Sequence, residues 1–163
     1  MIAPEISKKI EKELERLNIK VASVDVDRPW GGFYVIHPES TDLFLQIFFN
    51  EINHVELGTG PISPKILIIA PQQQLSWQYH LRREEIWKLI EGEAGLMRSE
   101  TNAPSPITSL ILNSIIYLKK EERHRLVGFD KWGIVAEIWK HTDPDQPSNE
   151  EDIIRLEDQY GRK

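Results

Sequence analysis

Four side chains in this sequence have types and spacing suited to holding a metal ion: Gln78, His80, Glu85 and His124. Gln78 and His80 are two apart, so on a strand both point to one face. The stretch LRRE reads as a tight turn, and a strand opening at Glu85 brings a carboxylate back beside the imidazole. His124 lies in a separate β-like run, HRLVGF. Two imidazoles, a carboxylate and a carboxamide oxygen make a site of moderate hardness. Such a set suits one divalent ion of the Zn, Mn, Fe, Co or Ni kind. Any one of the four alone reads more simply as a satisfied core polar group. The spacing of the set is what points to a metal.

The elements that must position these residues are mostly strands. KILIIAP, LSWQYH, EIWKLIEG, AGLMRSE, ITSLILN, IIYLKK, HRLVGF and WGIVAEIWK follow one another from Lys65, with a polar loop at 101–106. Many short strands without interleaved helices predict a sandwich or barrel, and a jelly roll can hold ligands from several strands inside it. Ahead of them, Ile6, Ile10, Leu14 and Leu17 recur at helical spacing, predicting an amphipathic helix over 4–18. RPWGGFYVI at 28–36 bends at Pro29 and the glycine pair, then runs as a strand. A short helical insert is expected over 41–51, capped by Ser40 or Thr41. The tail is acidic until DIIRL, where Ile153, Ile154, Leu156 and Tyr160 offer apolar surface for docking.

The chain has 163 residues, 40% hydrophobic and 28% charged, and reads as a single domain over 1–163. Its formal net charge of −6 argues against a general nucleic-acid partner. A small phosphorylated substrate needs only a few local cations. With no cysteine, thiolate metal sites and disulfides are ruled out, which fits the cytoplasm. No apolar run approaches membrane-spanning length, so no membrane partner is expected.

These residues resemble a cupin. The first cupin motif has His-x-His, then Glu, then Gly. Here Gln78 replaces the first His, followed by His80, Glu85 and Gly92, and Gln72 stands where the motif opens with Gly. The second motif keeps His124, while Lys119 and Glu121 replace its Pro and Gly, which predicts a different turn before the His. RPWGGFY, KILIIAP, LSWQYHLRREEIW and EDIIRLEDQYGR are similar to type II phosphomannose isomerases, the C-terminal isomerase domain of bifunctional mannose-1-phosphate guanylyltransferases. The resemblance covers most of 28–162; the insert at 38–57 and the 142–150 loop depart from it. It implies a cupin double-stranded β-helix, all-β, with an N-terminal helix within 1–20 and a docked tail.

The resemblance also implies a metal held by Gln78, His80, Glu85 and His124, and aldose–ketose isomerisation of a sugar phosphate such as mannose 6-phosphate. Arg83, read as lying in the turn at the barrel mouth, and Arg155, in the docked tail, are candidate catalytic and substrate-binding residues. Lys65 is a further phosphate candidate. Glu137 alternates with Val135 and Trp139 and is a candidate base, with His141 nearby. Lys119, Lys120, Arg123 and Arg125 read as an exposed turn balanced by Glu121 and Glu122. Trp77 and Tyr79 alternate away from the ligands, toward the outside and an expected homodimer interface. Alternatives are an isomerase of a heptose or pentose phosphate, a non-catalytic sugar- or nucleotide-sugar-binding regulator, and an epimerase or dioxygenase.

Overall fold

Strand alternation is hidden in this sequence wherever both faces of the sheet are buried. The computed structural model describes residues 1–163. Helix α1 (Pro4–Arg16) is followed by strands β1 (Val21–Arg28) and β2 (Gly31–Ile36), then helices α2 (Thr41–Phe48) and α3 (His54–Leu57). The body continues as β3 (Ile62–Ile69), β4 (Trp77–Tyr79), β5 (Arg83–Ser99), β6 (Thr108–Ser109), β7 (Ile115–Leu118), β8 (Arg123–His141) and β9 (Ile154–Glu157). On β3, Ile66 and Ile68 enter one core while Leu67 and Ile69 enter another, which is why KILIIAP is almost uninterruptedly apolar.

All nine strands form one antiparallel sheet with β1, β2, β3, β8, β4 and β9 as successive neighbours. β5 pairs along its length with β8 and carries β6 and β7 on its other side. One half of β8 lies beside β3, and His124 in the other half pairs with Gln78 of β4. The two long strands therefore link both halves of an all-β jelly roll. Four strands read separately from the sequence are thus two: EIWKLIEG joins AGLMRSE, and HRLVGF joins WGIVAEIWK. The ladder shifts register around Gly92, whose φ of 76° and approach to the Trp132 carbonyl leave no room for a Cβ.

The outer core packs α1 and α2 onto the sheet through Ile10, Leu14 and Phe44. The helix expected over 4–18 ends at Arg16, because Asn18 takes a φ of 59°. That expected over 41–51 ends at Phe48. β1 is an edge strand absent from the sequence reading; none of its residues is buried and it pairs only with β2. In the tail, Tyr160 packs on the inner core and its hydroxyl donates to Gln73, whereas Leu156 is 38% exposed. No helix is long and apolar enough to cross a membrane.

Loss of the motif glycines does not change the backbone as expected. Glu121, where the resembled motif has Gly, sits at a φ of 64°, and Gln72, at the other Gly position, at 58°. Both adopt the left-handed conformation that a side chain disfavours by roughly 1–2 kcal/mol. Glu121 N–H closes the turn by donating to the His80 carbonyl at 2.9 Å. Glu121→Gly should therefore raise stability by about 0.5–1 kcal/mol, read as an upward shift of the urea midpoint. A lower midpoint would show that the Glu121 side chain holds the turn.

Candidate metal centre

Only three residues separate β4 from β5, and the tail holds them in place. The Asp152 carboxylate accepts the N–H groups of Leu81 and Arg82 at 2.9 and 3.1 Å, and the Ser148 hydroxyl. The Asp152 carbonyl accepts His80 Nδ1–H at 2.7 Å. On β8, the Glu122 carbonyl accepts His124 Nδ1–H at 2.9 Å. A carbonyl can only accept, so both imidazoles carry hydrogen on Nδ1 and point Nε2 inward.

His80 Nε2 stands 3.1 Å from Glu85 Oε1, His124 Nε2 stands 3.3 Å from Glu85 Oε2, and the two Nε2 atoms are 3.3 Å apart. Atoms bound about 2.0–2.2 Å from one ion lie roughly 3–3.5 Å from each other. These contacts therefore have the spacing of a coordination set, and the inward lone pairs repel unless a cation or proton lies among them. All three residues are buried. His80, Glu85 and His124 thus form a group able to bind a metal. Arg83 donates to Glu85 Oε1 at 2.8 Å and reaches His80 Nε2 at 3.2 Å, so an ion and this guanidinium compete for one lone pair.

Gln78 lines the same cavity, but its amide oxygen accepts the Ser76 hydroxyl. Its second lone pair remains open to a metal ion as a fourth ligand. Burial lowers the His80 imidazole, aided by the charges of Arg83 and His124 and opposed by Glu85. Burial by itself raises the Glu85 carboxyl, but the two imidazoles and Arg83 outweigh it and hold the group well below the usual carboxylate range.

Glu137 faces inward as its alternation predicts. Trp87 Nε1–H is shared between Glu85 Oε2 at 3.1 Å and Glu137 Oε2 at 3.0 Å, tying the two carboxyls together. Burial, then the charge of Glu85, pushes Glu137 up to about 8. Lys65 is buried, lies 3.6 Å from the centroid of the Trp139 ring, and pairs with Glu150. Arg155, on β9, lines the cavity.

Several sequence readings change. Arg83 is not in the turn; it is the buried first residue of β5, with its guanidinium 3.6 Å from the Trp139 ring centroid. His141 turns away from the cavity, accepting Ser148 N–H on Nδ1, so its Nε2 carries hydrogen toward Ser63 and cannot serve as the base. Trp77 is 1% exposed, its indole N–H donating to the Asn102 carbonyl, so it is no interface residue. Nor is the basic turn simply exposed: Arg125 is buried, and buried Glu122 pairs with Arg98.

The sequence reading misses Trp87, Ser148, Glu150 and Asp152. Trp87 was detectable, being two residues after Glu85 on one strand face. No spacing signals the tail residues, which act across the fold. Asp152→Ala should cost about 1–3 kcal/mol by stranding two amides and a hydroxyl. It should also weaken ion binding about 10- to 100-fold by freeing His80. The carboxyl is held below its ordinary value by Ser148 and the two amides against burial, so its contribution is present above the usual aspartate range and fades as pH falls through it. Chelator competition and urea melts at two pH values check both effects; unchanged ion affinity would show that the tail does not position His80.

No protein-family model and no curated protein matches the chain. Solved structures do. CapF, the capsular polysaccharide assembling protein of Staphylococcus aureus, superposes with a TM-score of 0.55 at 15% identity over 83% of this chain and 34% of its own. Oxalate decarboxylase from Lactobacillus farciminis gives 0.55 at 15% identity, covering 82% of this chain and 33% of that one. Vicilin from Corylus avellana (hazelnut) gives 0.56 at 12% identity, covering 86% and 36%. The chain spans about a third of the length of each. With its rolled antiparallel sheet and inward His–Glu–His group, the chain has the all-β cupin fold.

Proposed function

We propose that this protein is a metal-dependent aldose–ketose isomerase of a sugar phosphate, with mannose 6-phosphate and fructose 6-phosphate the first pair to test. The observation that carries the reading is the pairing of Glu137 with the His80–Glu85–His124 group through one indole N–H, inside a basic cavity. The cavity has an interior volume of ≈ 80 Å³ and opens to solvent at its mouth. That is below the roughly 300–1,000 Å³ usual for small-molecule sites, so a hexose phosphate would fill the mouth as well as the interior.

Isomerisation moves one proton between neighbouring carbons. A base takes the C2 proton of the aldose, and the electron pair forms the C1–C2 double bond of an enediol while O1 gains a proton. The ketose forms when the O2 proton leaves and a proton is returned to C1. Glu137, whose carboxyl is pushed up to about 8 by burial and the charge of Glu85, is suited to carry that proton both ways. Trp87 fixes its orientation, and Trp30 and Trp139 wall the cavity against water. A divalent ion held by His80, Glu85 and His124, with Gln78 beside them, would supply Lewis acidity toward the sugar oxygens.

A second reading is favoured by Arg83. Its guanidinium already neutralises Glu85 and satisfies His80, as a sugar-binding module without an ion would require. Interconversion of the two hexose phosphates, with chelator and then with added Mn, Zn, Co or Ni, tests the first reading. Chelator-sensitive turnover restored by one ion supports it. Retained ion without turnover shifts the substrate to a heptose or pentose phosphate. Neither ion nor turnover favours the binding module.

A further inference from the structure

Charge is inverted inside the cavity. The chain carries a formal net charge of −6, yet five basic side chains against three carboxyls line this pocket. Two of the five are neutralised within it, Lys65 by Glu150 and Arg83 by Glu85. The other three are Arg28 at the end of β1, Arg155 on β9 and Arg162 in the tail. The carboxylate partners of Arg28 and Arg162 lie outside the cavity lining. Asp25 accepts from Arg28 Nε at 2.7 Å, which commits neither Nη of Arg28. Asp158 takes the Nε and Nη2 edge of Arg162. Arg155 Nη1 donates to the main-chain oxygen of Lys163, which leaves Nη2 uncommitted, and its buried Nε has no partner.

Three guanidiniums from separate elements thus converge on one wall with N–H groups free. Burial and the charges of Arg162 and Arg28 lower Arg155 from its ordinary value, as expected of like charges crowded together. Folding concentrates this repulsion at one place, which an anion with several acceptor oxygens relieves. We infer that Arg28, Arg155 and Arg162 form a subsite for a phosphoryl dianion, in the cavity that Glu85 of the His–Glu–His group also lines. Three fork-shaped donors match the oxygens of a phosphoryl group better than the two of a carboxylate. The identity of the anion rests on the sugar-phosphate reading above. The subsite itself is scored without turnover, so either can fail while the other stands.

The test is titration of the full-length protein with inorganic phosphate, by calorimetry, in chelator. Arg155→Gln leaves no carboxylate stranded and is the principal variant; Arg28→Gln is the second. Arg162→Lys replaces a deletion there, because the Asp158 side chain is 3% exposed and needs a cation. Phosphate should bind the ion-free protein, and each Gln variant should lose about tenfold or more in affinity. Sulfate should compete and formate should not. Lys12→Gln, on the exposed face of α1, should bind as the parent does. Equal affinity in parent and Arg155→Gln, equal competition by formate, or binding only in metal-loaded protein would each overturn the subsite. So would no binding at millimolar phosphate. Circular dichroism on every variant separates a lost site from a lost fold.

Discussion

His80→Ala should give a folded protein that no longer retains a divalent ion. His80 supplies one of four donor atoms, with His124 Nε2 and both Glu85 oxygens, linked by contacts of 3.1 to 3.3 Å. Without it, Glu85 and His124 hold an ion from one side only, and the loss should be at least about a thousandfold, roughly 4 kcal/mol. The fold should survive. The carbonyl of Asp152 loses one donor, while the Asp152 carboxylate still holds Leu81 and Arg82. Arg83 keeps its bond to Glu85, so no buried charge is left alone. Metal content after dialysis and dye competition give the answer. An ion retained at parental affinity would remove this group as the metal centre.

Glu137→Gln should reduce turnover about 10²- to 10⁴-fold, the usual contribution of a positioned proton carrier. Gln keeps the size and can still accept the Trp87 N–H, so ion content should be unchanged. A structural role for the carboxyl would leave kcat where it was. The same variant should change the pH dependence of stability in a defined direction. Burial and Glu85 raise the folded-state value from 4.5 to about 8. Below 4.5 the group is protonated in both states and costs nothing. Between the two values only the unfolded chain gives up the proton, so parental stability falls with rising pH and levels off above about 8. The advantage of Glu137→Gln should therefore appear in weakly acidic solution and reach a few kcal/mol in alkali. Parallel curves for parent and variant between pH 5 and 9 would show that Glu137 is not buried as a neutral acid.

Local pattern made much of this arrangement legible. Gln78 lies on β4 and His80 directly follows that strand, both buried, and Val135, Glu137 and Trp139 alternate inward as read. Helix α1 follows from Ile6, Ile10 and Leu14 at helical spacing. The long bent strands were harder. Phe129 to Trp132 interrupts the pattern of β8, and a break in pattern looks the same whether a strand bends or ends. The turn before His124 was misread for another reason. Missing glycine predicts a new conformation only if nothing pays for the old one, and here Glu121 N–H bonds the His80 carbonyl.

By itself, then, the sequence determined the strand-rich body, its first helix, the faces of the strands and the candidate ligands, because each follows from the order of neighbouring side chains. Only the tertiary structure decided what those ligands meet. It swings the tail back so that Asp152 fixes His80, Ser148 holds Arg83, and Glu150 meets Lys65. It brings Arg28 and Arg162, near opposite ends of the chain, to the same wall as Arg155. Such contacts carry no period along the chain. They arise where closing the sheet brings distant charges into a cavity with little water, and there each charge must find a partner or await one.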